Sequence, residues 1–330
     1  MNYLFFRFVV MLQLVMTLNG FAKLTNTSGA YLNNANNASS QSDFFDLPEN
    51  SKKYINLISE FITFFNDEKF EIIFKDNYSE AKFPIKFEII RSSEFNLEAL
   101  YDNQNNPIIR IHSQILEHHL INEPVLIQLL CHELGHFIGG NPKKKKANGS
   151  SSWSTIEGQA DLFSSGYCLP LFYEHHQNLV KQFLSTFTDD LKISENELSQ
   201  IIKTQNGAVL SQHKKVASTN SSSSNESEVS RLILNSSWQL THLFAQINKD
   251  PFKLNLFQKD FYRTKRIVEN HASAQCRLDT FINGFNCHGL YQTDNLLTEN
   301  LELFNQCSEE KLDLGIEIRP RCWWTINQKK

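Results

Sequence analysis

Between positions 54 and 65 the apolar residues recur at helical spacing, as Tyr54, Leu57, Ile58, Phe61, Ile62 and Phe65, and predict an amphipathic helix. Phe83-Pro-Ile-Lys-Phe-Glu-Ile-Ile90 alternates as a strand does. Ala99-Leu-Tyr101 and Ile108-Ile-Arg-Ile-His112 flank the polar run Asp102-Asn-Gln-Asn-Asn-Pro107 and predict a β-hairpin. Asn122-Glu-Pro124 is a helix start: Asn can cap, and Pro suits the first turn. The helix it opens runs from Val125 to about Ile138, where Gly139-Gly140 stop it. The next stretch, Asn141 to Ser152, carries four consecutive lysines and is expected to be a solvated loop tip. A second helix is expected from Thr155 to about Tyr173. Ser218 to Ser227 is low in complexity, and the tail from Val229 is helical at first, then irregular and Cys-bearing. Helices and a small antiparallel element in this order give an α+β fold.

The N-terminus has one positive charge, Arg7, an apolar stretch Phe8–Leu18, and small residues at Gly20 and Ala22. That is the layout of a secretory signal peptide cut after Ala22. The expected organisation is a signal peptide over 1–22 and a flexible leader over 23–50. A core over 51–215 follows, then a linker over 216–228 and a C-terminal region over 229–330. Six cysteines, at 131, 168, 276, 287, 307 and 322, form an even set behind an export signal and favour disulfides. Sequence alone leaves their pairing open. Cys131 and Cys168 either staple the two helices or stay as buried thiols. The 32 basic and 36 acidic residues give a formal charge of −4, which excludes an ordinary nucleic-acid binder. Loss of Arg7 with the signal peptide makes it −4 − 1 = −5.

The chemistry is concentrated at Cys131-His132-Glu133-Leu134-Gly135-His136. His132 and His136 are four apart, so a helix stacks both imidazoles on one face, where they can hold Zn²⁺. Glu133 can reach a water on the ion without binding the ion itself. Catalytic zinc needs a third protein ligand and an open position. Trp153-Ser-Thr-Ile-Glu157-Gly-Gln-Ala-Asp161 offers Glu157 as that ligand, with Asp161 on the same face to accept the second ring N–H of a ligand histidine.

His132-Glu-Leu-Gly-His136 followed by Glu157-Gly-Gln-Ala-Asp161 resembles the gluzincin metallopeptidases, above all the group of CAAX prenyl proteases and HtpX-type heat-shock proteases. The resemblance covers roughly residues 95–175, including the hairpin before the active-site helix. His271-Ala-Ser-Ala-Gln-Cys-Arg277 also matches that group's downstream H-P-x-x-x-x-R in spacing, with Ala272 in place of Pro. Gln275–Thr280 and Arg319–Trp323 resemble segments of exported bacterial proteins that carry the same zinc motifs and lack membrane helices.

The resemblance implies a gluzincin core with a Cys-containing C-terminal extension and an exported, periplasmic or secreted location. It implies hydrolysis of peptide bonds in a peptide or protein substrate by a zinc-activated water, with Glu133 as general base. His271 or Arg277 would meet the developing oxyanion. The hairpin edge would take an extended substrate by strand addition. The competing expectations are a non-catalytic, zinc-stabilised binding or chaperone module of the cell envelope, and hydrolysis of a non-peptide amide.

Overall fold

Helix α4, Glu123–Ile138, is buried along its whole length from Pro124 onward, so it lies inside the fold instead of lining one side. The sequence places its start where expected. The Asn122 side chain accepts the Val125 N–H at 3.1 Å, and Pro124 stands in the first turn, where no N–H is needed. The computed structural model to which α4 belongs describes residues 49–77, 82–201, 224–251, 253–288, 297–310 and 317–325. The expected signal peptide, nearly all of the leader and most of the linker lie outside these residues.

Helices α1, Glu49–Phe65, and α2, Glu68–Asn77, precede the sheet. The apolar stripe expected over 54–65 is buried, with Phe61 packed against Phe65 and Phe172 at ring-centroid distances of 4.8 and 5.6 Å. Tyr54 is buried with them, and its hydroxyl donates to the Ile121 carbonyl at 2.7 Å, just ahead of α4.

Strands β1, Lys86–Ile90, β2, Leu97–Tyr101, and β3, Pro107–His112, form one sheet in the order β1-β3-β2. The expected hairpin is β2–β3, antiparallel, with Ala99 opposite Ile109. Asp102 closes its turn by accepting the N–H groups of Gln104 and Asn106 at 2.9 and 2.7 Å. Along β3, Ile109 and Ile111 are buried while Ile108 and Arg110 are partly exposed, the alternation of a strand with one face on the core. A short helix α3, Ser113–Leu116, leads from β3 towards α4.

Two expectations are corrected beyond α4. The lysine run is no open loop tip: Lys143–Lys145, β4, pairs with Ser151–Thr155, β5. Because β5 uses residues through Thr155, the second helix opens at Glu157, two residues later than expected. It runs as α5, Glu157–Phe163, a π-helical turn Ser164–Cys168, and α6, Leu169–His175, followed by α7, Gln177–Leu184. A π turn adds a residue to the helical circuit without changing the apolar pattern that reveals the helix.

Helices α4 and α5 cross with almost no side chain between them. A Cβ on Gly135 would stand 3.0 Å from the Ala160 Cα, so glycine sets how closely they approach. The Cys131–Cys168 disulfide staples α4 to the π turn, as one of the two sequence alternatives had it. Helices α8, Ser224–Asn248, α9, Ala274–His288, and α10, Leu297–Ser308, complete the helical set named here. Gln128 of α4 donates to the Ser237 hydroxyl of α8 at 2.8 Å, and Leu232, Leu240, Phe281 and Phe304 share the apolar cluster that holds α4. Residues on both sides of the expected linker thus build one core. Two further disulfides, Cys276–Cys322 and Cys287–Cys307, tie α9 to the final segment and to α10. Among the described residues, no helix is long and apolar enough to cross a membrane.

Candidate metal centre

His132 and His136, one turn apart on α4, present their rings at a centroid separation of 4.8 Å. Glu157, first residue of α5, reaches them from the facing helix. Its carboxylate oxygens lie 3.2 Å from His132 Nε2 and 3.6 Å from His136 Nε2. One donor atom from each of the three residues lies within 4.8 Å of the other two, and all three side chains are buried. This donor set fits a divalent ion, because two imidazole nitrogens and one carboxylate oxygen converge.

Both imidazoles are fixed from behind. His136 Nδ1–H donates to the Thr155 carbonyl at 2.8 Å, which leaves Nε2 turned to Glu157. His132 Nδ1 lies 2.8 Å from Asp161, four residues after Glu157 on the same face of α5. Asp161 is gripped in turn by Arg277 of α9, whose Nε and Nη2 donate to its two oxygens at 2.8 and 2.6 Å. The Arg277 guanidinium also lies over the Phe244 ring, 3.6 Å from its centroid. This corrects the expectation that Arg277 meets an oxyanion. It is buried and spends its fork on Asp161, on the far side of His132 from Glu157.

His271 is found on the open side: its Nε2 is 3.1 Å from Glu157, and its side chain is 63% exposed. Lys144 of β4 approaches the same carboxylate, its Nζ donating to Oε1 at 2.7 Å. The sequence reading missed this contact. A run of four lysines carries no signal that one of them folds back; only the lysines' position between the two motifs could have hinted at it.

Burial and neighbours separate the titrations of these groups. Burial disfavours a charged His132, but Asp161 and Glu157 outweigh it and hold the imidazole up at about 9. For His136 burial wins, pushing it down to about 3 against the pull of Glu157. Burial pushes Glu133 up to about 8, although His132 and the Ala99 N–H, which hydrogen-bonds its carboxylate, draw it down. Burial also works against charge on Glu157 and Asp161. The histidines around Glu157, and Arg277 with His132 beside Asp161, keep both below the usual carboxylate range. The Glu133 carboxylate stands 4.0 Å from His132 Nε2, on the nitrogen that faces Glu157.

The C-terminal segment supports α5 from beneath. Trp323 is buried, donates to Thr280 at 2.9 Å, and lies so close to Gly158 that a Cβ there would come 2.3 Å from its ring. Comparison with known protein families, characterised proteins and solved structures finds no match to this chain.

Proposed function

We propose that the chain is an exported zinc metalloendopeptidase of gluzincin type. The observation that carries this reading is the convergence of His132, His136 and Glu157, with the remaining ring nitrogen of each histidine already engaged and a separate carboxylate, Glu133, beside them. Two imidazoles and one carboxylate are a donor set that suits zinc. A zinc ion held there would polarise a scissile carbonyl and lower the pKa of a water. Glu133, 4.0 Å from His132 Nε2, would take a proton from the attacking water and return it to the leaving amine. His271 and Lys144, on the open side of Glu157, are the donors offered to a developing oxyanion. Strand β2 has β3 as its only strand partner among the described residues, and its Ala99 N–H contacts Glu133. An extended peptide added to that edge would pass beside the general base. Three disulfides support an exported, periplasmic or secreted, location.

The test combines elemental analysis with cleavage of casein and short peptides. Wild type is expected to carry zinc and to cleave. Glu133→Gln should keep the zinc and lose activity by roughly 10²–10⁴-fold. Glu157→Ala should lose the metal. Undiminished zinc in Glu157→Ala, or unchanged cleavage by Glu133→Gln, overturns the proposal. Zinc without cleavage in wild type would favour the non-catalytic binding module.

A further inference from the structure

The segment ahead of α9, described at residues 251 and 253–273, is closed at its base and built outward. Asp250 accepts the Ala274 N–H at 2.9 Å, joining its two ends. Gln275 of α9 bonds both the N–H and the carbonyl of Asn255, at 2.8 and 2.9 Å, and Asp279 accepts the Asp260 N–H at 2.6 Å. The N–H groups of Thr264 and Val268 donate to the carbonyls of Arg321 and Trp323 at 2.9 and 3.0 Å. Backbone this well tied presents its side chains in fixed positions, although it has neither helix nor strand.

What it presents is unlike the rest of the surface. Among the described residues, five large apolar side chains are exposed, and four of them, Ile247, Phe257, Phe261 and Tyr262, fall in or next to this segment. Phe261 and Tyr262 are 74% and 57% exposed. Lys253, Lys259, Arg263, Lys265 and Arg266 are exposed between and beside them, and none forms an ion pair with a described residue. The two acids of the segment are both engaged: Asp260 is buried and accepts from Ser273, and Glu269 accepts the Lys145 N–H at 2.9 Å. The segment therefore carries 5 − 2 = +3, in a chain of −4 whose remainder is −4 − 3 = −7.

We propose that this loop is a docking surface for an anionic phospholipid membrane, seating the protein on a bilayer with the His271 side of the candidate site next to it. Protruding aromatic rings set among cations that have no ion-pair partner among the described residues, Arg263 donating only to the Asp260 and Tyr262 carbonyls, match the two layers of such a surface. The rings enter the region of the headgroups while Lys and Arg meet lipid phosphates. Rings this exposed stand out from the surface instead of lining a groove, which favours a deformable lipid layer over a folded partner or a peptide. The net negative charge of the remainder of the chain favours an approach with this cationic segment foremost. The inference does not depend on what the metal centre catalyses.

The experiment is co-sedimentation of the full chain with vesicles of phosphatidylcholine alone, or of phosphatidylcholine with phosphatidylglycerol. Wild type is expected to bind the mixed vesicles, to bind neutral ones far less, and to be released by high salt. Lys265→Gln with Arg266→Gln should weaken binding roughly 25-fold, at about fivefold for each basic residue. Phe261→Ser with Tyr262→Ser should weaken it as well, with near-UV circular dichroism and metal content unchanged in both. All variants keep the same N-terminus, so a loss reports the loop. Binding that ignores phosphatidylglycerol, or that survives both double substitutions, overturns the proposal. So does tighter binding to soluble polyglutamate or to an oligonucleotide than to vesicles, which would assign the loop to an acidic macromolecule.

Discussion

The two helices that carry the candidate metal ligands and the irregular C-terminal stretch behind them reach order by different means. α4 and α5 are held by helical hydrogen bonds, a glycine-thin crossing and an apolar envelope, with one disulfide added. Residues 251–273 and 317–325 have almost no regular backbone pairing and are held by side chains clasping backbone groups, by Trp323 and by the Cys276–Cys322 bond. Yet the second region completes the first, since α9 and the loop before it deliver Arg277 and His271 to the site. Regular elements set the ligands; irregular chain, stapled in place, fixes their orientation and the rim around them.

The largest test of this contrast is to cut the link between the regions. Arg277→Met leaves the buried Asp161 carboxylate with His132 alone, and losing one member of a buried pair costs up to roughly 3–5 kcal/mol. Urea unfolding should show that loss, and metal affinity should fall roughly 10–100-fold as His132 loses its anchored Asp161. A variant that unfolds and binds metal as wild type does would mean the C-terminal region is mere packing.

Next in size is the staple itself. Cys276→Ser with Cys322→Ser releases a crosslink across 46 positions, worth about 3–4 kcal/mol by chain entropy. Hydrogen exchange should then rise first in 251–273 and 317–325, while α4 stays protected. Uniform loss of protection would show that the two regions open as one unit.

The gentlest probe is pH. His136 titrates at about 3 in the fold against 6.5 ordinarily, because its burial favours the neutral ring. The unfolded chain therefore binds more protons between these values. This stability is complete above 6.5 and drains away as pH falls towards 3, at up to about 1.4 kcal/mol per pH unit. Acidification should lower the unfolding midpoint through this window, and His136→Asn should flatten the slope. An unchanged slope would remove His136 as its source.

How far the sequence could be read follows the same division. The Asn122 cap, the four-residue spacings of His132 with His136 and of Glu157 with Asp161, and the β2–β3 hairpin are local patterns. Each needs only a helix or strand to form, and each was placed correctly. The end of the lysine run, the start of α5 at Glu157 and the contact of Lys144 with Glu157 were not legible. They depend on β4 finding β5, which is a matter of register and not of composition. The family resemblance brought Arg277 into the candidate set as an oxyanion donor, but its guanidinium is held by Asp161, because which side of His132 it reaches is decided by how α9 packs against α5.

By itself, then, the amino-acid order determined the helix carrying two imidazoles, the carboxylates that could meet them, and an even set of cysteines. The spacings of His132 with His136 and of Glu157 with Asp161 are one helical turn, where backbone geometry alone fixes what faces what, and the cysteines need only be counted. Only the tertiary structure decided that Asp161 stands between His132 and Arg277, which cysteines pair, and that a loop of cations and aromatic rings stands beside the candidate site. These depend on segments distant along the chain meeting in space, 20 to 46 positions apart for the disulfides and 116 for Asp161 with Arg277, and no local periodicity encodes such a meeting.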